Sequence, residues 1–430
     1  MKAAIYTLGC KVNAYESEYI INQLISKGYE IVPFNTLADI YIINTCTVTN
    51  ISDSKSMKAI NKAINKKNNA IIVVIGCLVQ SKFNSLKENR DIDILIGNKD
   101  KSKVVDYVEQ YIKAKERIIK IYDLKNLPFE NMDIDCFYDR TRAFVKIQDG
   151  CNNYCSYCII PYVKGNIRSK SPHDVINEIN NLVNNGYLEI VLTGIHTGSY
   201  GRDLNNYSLA KLLKEIVKIK NLKRLRISSI EITEIDDEIL NLIKEHKVIV
   251  NHLHIPLQSG CNKILKAMNR KYDVEYYNDV INKIRAIRPN IAITTDVIVG
   301  FPGETDEDFN DTYNFIKKIK FSKLHVFPYS KRDNTVAAKL DNQVDEKIKK
   351  SRVNKLIQLS KRLEKEYMNK FISKEIKVLF ETDKDGYYIG HTSNYLEVKV
   401  ASNKDLKGKI VNVKILQMLY PYLIAEIIEK

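Results

Sequence analysis

The sequence predicts an α/β fold in three parts: an amino-terminal parallel α/β domain, a partial TIM-type barrel of six β/α units, and a small carboxyl-terminal all-β barrel. Three observations predict it. Over roughly the first 110 residues, continuous apolar runs alternate with amphipathic stretches, the pattern of buried parallel strands under helical cover. From Ala143 to about residue 345, six more strand-and-helix units follow. After Ser373 the pattern shortens to alternating strands separated by turn signals such as Asp385-Gly386 and Lys407-Gly408.

In the first domain, residues 1–114, strands are expected at 3–7, 40–44 and 70–75, and helices at 15–27, 54–66 and 101–113. Cys10, Cys46 and Cys77 each fall just past the carboxyl end of one of those strands. Open α/β sheets form their ligand sites along that edge, so three thiols from distant positions can meet there. Buried core cysteines are common, but the shared position after a strand favours a three-cysteine iron–sulfur site. Residues 115–142, with Asn126-Leu127-Pro128, read as a linker whose Cys136 is expected to be a free thiol.

The barrel is placed at 143–345, with strands at 144–147, 190–192, 225–227, 252–255, 293–299 and 323–327. Helices are expected at 172–184, 209–219, 236–246, 275–287 and 306–319. Residues 346–372 read as a basic amphipathic linker helix, and residues 373–430 as a β-barrel similar in class to oligonucleotide-binding barrels. Its strands are expected at 376–380, 387–391, 395–400, 410–416 and 423–427.

The loop after the first barrel strand carries the most specific signal: Cys151-Asn152-Asn153-Tyr154-Cys155-Ser156-Tyr157-Cys158. Active sites of such barrels lie at the carboxyl ends of the strands. Cysteines usually supply all four ligands of a four-iron cluster. A C-x3-C-x2-C loop supplies three and leaves one iron open. A three-cysteine zinc site would need a histidine, and the nearest downstream is His173.

Composition sets the remaining bounds. With 430 residues and 44% apolar content the chain can bury a full core. Neither a secretory leader nor an apolar run of spanning length is evident, so a cytoplasmic protein without a membrane partner is expected. Eight cysteines in so long a chain point to metal or catalysis in a reducing compartment, not to a disulfide scaffold. The net charge of +15 suggests a polyanionic partner such as RNA. Residues 346–374 hold ten Lys or Arg against three Glu, whereas from Phe371 onward nine Lys face eight acids.

Over essentially its whole length the chain resembles the radical S-adenosylmethionine (SAM) methylthiotransferase family. The resemblance rests on Leu8-Gly9-Cys10-Lys11-Val12-Asn13, Asn44-Thr45-Cys46-Thr47-Val48-Thr49, Gly76-Cys77, and the run from Cys151 to Tyr162. It rests also on Arg226-Ile227-Ser228-Ser229-Ile230-Glu231, Leu257-Gln258-Ser259-Gly260 and Val299-Gly300-Phe301-Pro302-Gly303-Glu304-Thr305. It implies a second 4Fe–4S cluster on Cys10, Cys46 and Cys77, a SAM-cleaving 4Fe–4S cluster on Cys151, Cys155 and Cys158, and a carboxyl-terminal RNA-binding TRAM barrel. The local wording of the cysteine motifs is similar to the branch acting on N6-threonylcarbamoyladenosine beside the tRNA anticodon. Neighbouring branches act on isopentenyladenosine in tRNA or on a ribosomal protein side chain.

The implied reaction uses SAM twice, once to methylate a sulfur and once to generate a 5′-deoxyadenosyl radical. It implies as partners the tRNA anticodon stem-loop, an external electron donor and a sulfur source, and no side-chain general base is assigned. The same resemblance, with barrel logic, nominates Tyr157, Gly194, Glu231, Gln258 and Ser259 for SAM, and has the turn from Gly300 to Gly303 border it. Two segments depart from the family pattern: Val163-Lys164-Gly165 stands for Ala-Arg-Gly, and Arg332-Asp333-Asn334-Thr335 for Arg-Pro-Gly-Thr. Lys164 and Arg332 are the expected cations for the carboxylate of a threonylcarbamoyl group.

Overall fold

The structure is a computed structural model that describes residues 1–66, 69–138 and 140–428. The last two residues of the expected 373–430 domain lie outside the described residues.

The amino-terminal sheet contains β1 (Lys2–Thr7), β2 (Glu30–Ile31), β3 (Ile40–Thr45), β4 (Ile71–Gly76), β5 (Ile94–Ile96) and β6 (Ile118–Lys120), all parallel, in the order β2-β1-β3-β4-β5-β6. β3 and β4 are buried along their whole length, because helices cover both faces. Alternate residues of β3 therefore enter opposite cores: Ile40 and Ile42 one, Tyr41 and Ile43 the other. The cover includes α1 (Lys11–Ser26), α2 (Asn50–Ile64) and α3 (Cys77–Ser81), then α4 (Phe83–Lys87) and α5 (Val104–Ala114).

The expected linker at 115–142 needs correction. β6 completes the amino-terminal sheet, and Met132, Ile134 and Phe137 are buried in the main core of the second domain. A three-residue edge strand gives too short a periodic signal to read from sequence. Cys136 is an exposed free thiol, as expected.

The second domain opens with β7 (Arg142–Lys146), the short β8 (Gln148–Asp149), α6 (Ile160–Lys164) and the short β9 (Arg168–Ser169). It continues with α7 (Pro172–Asn184), β10 (Glu189–Thr193), α8 (Leu209–Ile216), β11 (Arg224–Ile227), α9 (Asp237–Glu245) and β12 (His252–His254). Then come α10 (Asn262–Ala267), α11 (Val274–Ile287), β13 (Ala292–Val299), α12 (Asp306–Ile319) and β14 (Lys323–Pro328). Six of these strands form two parallel three-stranded arcs, β11-β10-β7 and β12-β13-β14, joined by a bridge between Leu225 and Ile249. Local chemistry fixes the helix starts. Ser171 caps α7 with a proline just inside it, and Thr305 with Asp308 forms a capping box on α12.

The linker helix α13 (Glu346–Asn369) packs along β14. Its basic face is partly internal: Lys349 and Arg352 are buried, and Arg352 pairs with Glu304 at 2.6 Å and Asp306 at 2.8 Å. The Lys349 stem also occupies the space a Cβ on Gly300 would need, 2.3 Å away, so that glycine seats α13. The chain ends in a closed barrel, β15-β16-β17-β19-β18, built from β15 (Glu375–Lys384), β16 (Tyr387–Thr392), β17 (Glu397–Ala401), β18 (Ile410–Leu419) and β19 (Tyr422–Ile427). Tyr395, expected in a strand, lies in a turn with φ +64°. It stacks on His391 and lies beneath the guanidinium groups of Arg142 and Arg226, so the small barrel closes the amino-terminal end of the large one.

Candidate functional site

Cys10 caps α1, Cys46 follows β3 and Cys77 opens α3, so sheet topology alone brings three thiols to one edge. Two asparagines from the cysteine motifs lock the loops together. Asn13 Nδ2 donates to Leu8 O at 2.7 Å and Thr45 O at 3.0 Å, while Asn44 Nδ2 donates to Asn13 O at 3.0 Å. Gly9 is the point of closest approach: with φ +98°, a Cβ there would lie 2.8 Å from both Cβ and Sγ of Cys46. Only glycine permits that contact.

Burial pushes the Cys46 thiol up to about 11 and raises Cys10, although Cys10 opens onto the central cavity. Thiolates form there when a metal replaces the proton. The surroundings suit such a charge. Asn98 Nδ2 donates to Cys77 Sγ at 3.3 Å. Among the described residues, a buried network of Lys101, Lys146, Lys164 and Arg168 meets two carboxylates, Glu16 and Asp149, leaving two positive charges in excess. Lys164 acts electrostatically on both Cys10 and Cys77.

The second cysteine set, after β7, is held by donors as well. Asn153 N points at Cys151 Sγ (3.5 Å), Ile160 N at Cys158 Sγ (3.4 Å), and Arg270 Nη1 at Cys155 Sγ (3.2 Å). Hydrogen bonds to sulfur of this kind tune iron–sulfur centres. Burial pushes Cys158 up to about 12. Arg270 also pairs with Glu231, so the expected Glu231 does face this site. His196 packs its Nδ1 3.8 Å from Cys151 Sγ while its Nε2 meets Glu234 at 2.9 Å.

The other expected residues divide. Tyr157 is partly buried beside the cysteines, packed against the small apolar cluster that includes Met268 and Phe301. Gly194 lines the central cavity, with room for no Cβ because Gln148 Oε1 would lie 3.0 Å away. Gln258 sits at φ +65° in a bridge to β13. Ser259 is fully buried, bonded to Thr312 Oγ1 at 3.1 Å and to Cys261 N, so its hydroxyl is engaged in packing the turn. Lys164 and Arg332 require correction as substrate cations. Lys164 is buried in the ion network above. Arg332 pairs with Asp53 at 3.0 Å and donates to Thr47 and Asn50, clamping the loop after β14 to the start of α2. Lys164 is engaged by Glu16 and Asp149 and Arg332 by Asp53, so both side chains are held within the fold.

Arg270, His196 and Asn98 carry no local sequence signal, since each reaches a cysteine from another unit, and Glu234 acts only through His196. Beside Cys10 lies a cavity of about 510 Å³, lined by Cys10 and Lys11 from the first domain, Gly194, Arg226 and His254 from the barrel, and Tyr395 from the small barrel. Its size suits a single modified nucleobase.

Comparison with known proteins places the chain in a family. Residues 145–316 match the radical SAM superfamily, and residues 2–97 match an uncharacterized protein family, UPF0004. A threonylcarbamoyladenosine tRNA methylthiotransferase of Bacillus subtilis is 47% identical, with 97% of this chain and 94% of that protein aligned. Its counterpart from Aquifex aeolicus is 39% identical over 96% of this chain and 100% of that protein. A tRNA-2-methylthio-N6-dimethylallyladenosine synthase of Clostridium tetani is 37% identical over 96% and 94%. Among solved structures, the radical SAM methyltransferase TsrM of Kitasatospora setae shares the fold, with TM-score 0.57 and 14% identity over 78% of this chain and 76% of that one. The chain is an enzyme of the radical SAM tRNA methylthiotransferase family.

Proposed function

We propose that this enzyme places a methylthio group on C2 of N6-threonylcarbamoyladenosine next to the tRNA anticodon, and that both three-cysteine sites hold 4Fe–4S clusters. When bound, the clusters would supply the electron that cleaves SAM and a carrier for the transferred sulfur, the hard chemistry residing in the cofactors. An external electron donor and a sulfur source complete the reaction. The observation that carries the reading is the cavity on which Cys10 opens, whose wall also includes Thr193 and Gly194 at the carboxyl end of β10: a base held there lies beside the amino-terminal cysteine site.

The chain's own residues prepare that meeting. Arg270 orients Cys155 and Glu231 together. Glu234 fixes the His196 ring against Cys151. The small barrel closes the far end of the lumen through Arg224, which donates to His391 O and Lys377 O, and so excludes water from a radical reaction. Anticodon-loop bases can be splayed out of the RNA to enter such a site.

The test is reconstitution. The enzyme, SAM and a reductant should convert an anticodon stem-loop bearing threonylcarbamoyladenosine to its 2-methylthio form. Conversion of the isopentenyl-bearing loop alone would move the enzyme to the neighbouring specificity, and methylthiolation of a ribosomal protein would remove the tRNA reading.

A further inference from the structure

Arg226 projects from β11 into the central cavity and is 2% exposed. Its Nε donates to Glu189 Oε1 at 2.7 Å, but Nη1 and Nη2 are buried with no hydrogen-bond partner among the described residues. A buried guanidinium with both terminal nitrogens unpaired is costly to leave so. Its face is covered by the Tyr395 ring, whose centroid lies 4.7 Å away, which leaves its edge as the open bonding direction.

Its neighbourhood holds more positive charge than the fold itself neutralises. Lys11, the residue after Cys10, lines the same cavity within the field of Arg226 and Arg142, and among the described residues its ammonium takes no ion pair or hydrogen bond. Glu189 is shared between Arg226 and Arg224, and Glu381 is taken by Arg142 at 3.0 Å. Four cations thus face two carboxylates. The acids elsewhere on the cavity wall are held by other partners: Asp296 lies 3.4 Å from His254, Glu364 2.9 Å from Lys323, and Glu397 3.7 Å from His391.

We infer that Arg226 and Lys11 form an anion subsite that receives the carboxylate of the threonylcarbamoyl group, a role the sequence had suggested for Lys164 and Arg332. The inference rests on the proposed substrate. In adenine the substituted N6 is attached two ring bonds from C2, so a base presenting C2 toward Cys10 carries its N6 group alongside Lys11. The two Arg226 terminal nitrogens offer the fork that a carboxylate accepts. An apolar N6 substituent would leave both cations unpaired and so be rejected.

The test uses full-length reconstituted enzyme and four synthetic anticodon stem-loops carrying threonylcarbamoyladenosine, its neutral methyl ester, unmodified adenosine, or isopentenyladenosine. Wild type should bind the free acid about 10- to 100-fold more tightly than the ester. Lys11→Gln should remove most of that preference by raising the Kd and KM for the acid, and Lys11→Arg should restore it. Arg226→Lys, checked for iron content and thermal unfolding, should likewise narrow the ratio. Equal affinity of wild type for acid and ester, or an undiminished preference in Lys11→Gln, would overturn the subsite while leaving the substrate reading intact. A wild type that modifies only the isopentenyl loop would instead overturn the substrate reading.

Discussion

Replacing Gly9 by Ala should empty the amino-terminal cluster site and leave the other intact. The added Cβ would stand 2.8 Å from Cβ and Sγ of Cys46, where ordinary contact begins near 3.4 Å. One of the two loops must retreat by about 0.6 Å, and the Gly9 φ of +98° adds about 1–3 kcal/mol of backbone strain for any residue with a side chain. Metal sites tolerate about 0.2 Å in ligand distance, so the displacement exceeds what a three-thiol site can absorb. Iron per chain should fall from about eight to about four, the count of one four-iron cluster, while reductive SAM cleavage persists and methylthio transfer stops. Gly28→Ala is the matched control. Its φ is +82° but nothing lies within 4 Å, so it carries strain without collision and should keep all its iron. A Gly9→Ala protein with full iron and activity would refute the assignment of Cys10 and Cys46 to one centre.

Arg270→Met removes the donor on Cys155 and the partner of Glu231. SAM cleavage should drop about 10- to 100-fold with the amino-terminal iron unaffected, measured as 5′-deoxyadenosine formed per cluster. Glu16→Gln withdraws the carboxylate shared by Lys101, Lys146 and Lys164 in a fully buried network. Denaturant unfolding should show a loss of about 3–5 kcal/mol, and unchanged stability would contradict the network's role in joining the first two domains. Burial pushes Asp308 up, but Lys263 and Thr305 outweigh it and hold the carboxyl at about 2, below the ordinary 3.8. Its contribution to stability is therefore complete above the unfolded value and is lost as pH falls toward 2. Asp308→Asn should flatten that part of the acid-unfolding curve, and an unaltered curve would contradict the pairing.

What the sequence revealed is what is local. The C-x3-C-x2-C loop and the glycine–cysteine turns announce themselves because each ligand lies at a fixed offset from a strand end, and six barrel strands were readable because apolar runs of that length repeat. The limits of α7 and α12 follow from their caps. Partnerships were not readable. Lys164 and Arg332 looked like available cations because a sequence displays charge without displaying the Asp149, Glu16 or Asp53 that meets it. Arg226 was visible within a motif, but its unpaired nitrogens exist only once β11 turns it inward and Tyr395 covers it. Part of the basic helix is likewise tertiary in purpose, since Arg352 and Lys349 serve its packing against Glu304 and Gly300.

The central claim is that this chain methylthiolates threonylcarbamoyladenosine in tRNA. Mass spectrometry of nucleosides from total tRNA of a strain lacking the gene tests it most directly. The account predicts that 2-methylthio-N6-threonylcarbamoyladenosine disappears and its unmethylthiolated precursor accumulates, with restoration by the wild-type chain but not by Cys10→Ala or Cys151→Ala. A nucleoside profile identical to the parent strain, or loss of the isopentenyl derivative alone, would contradict it.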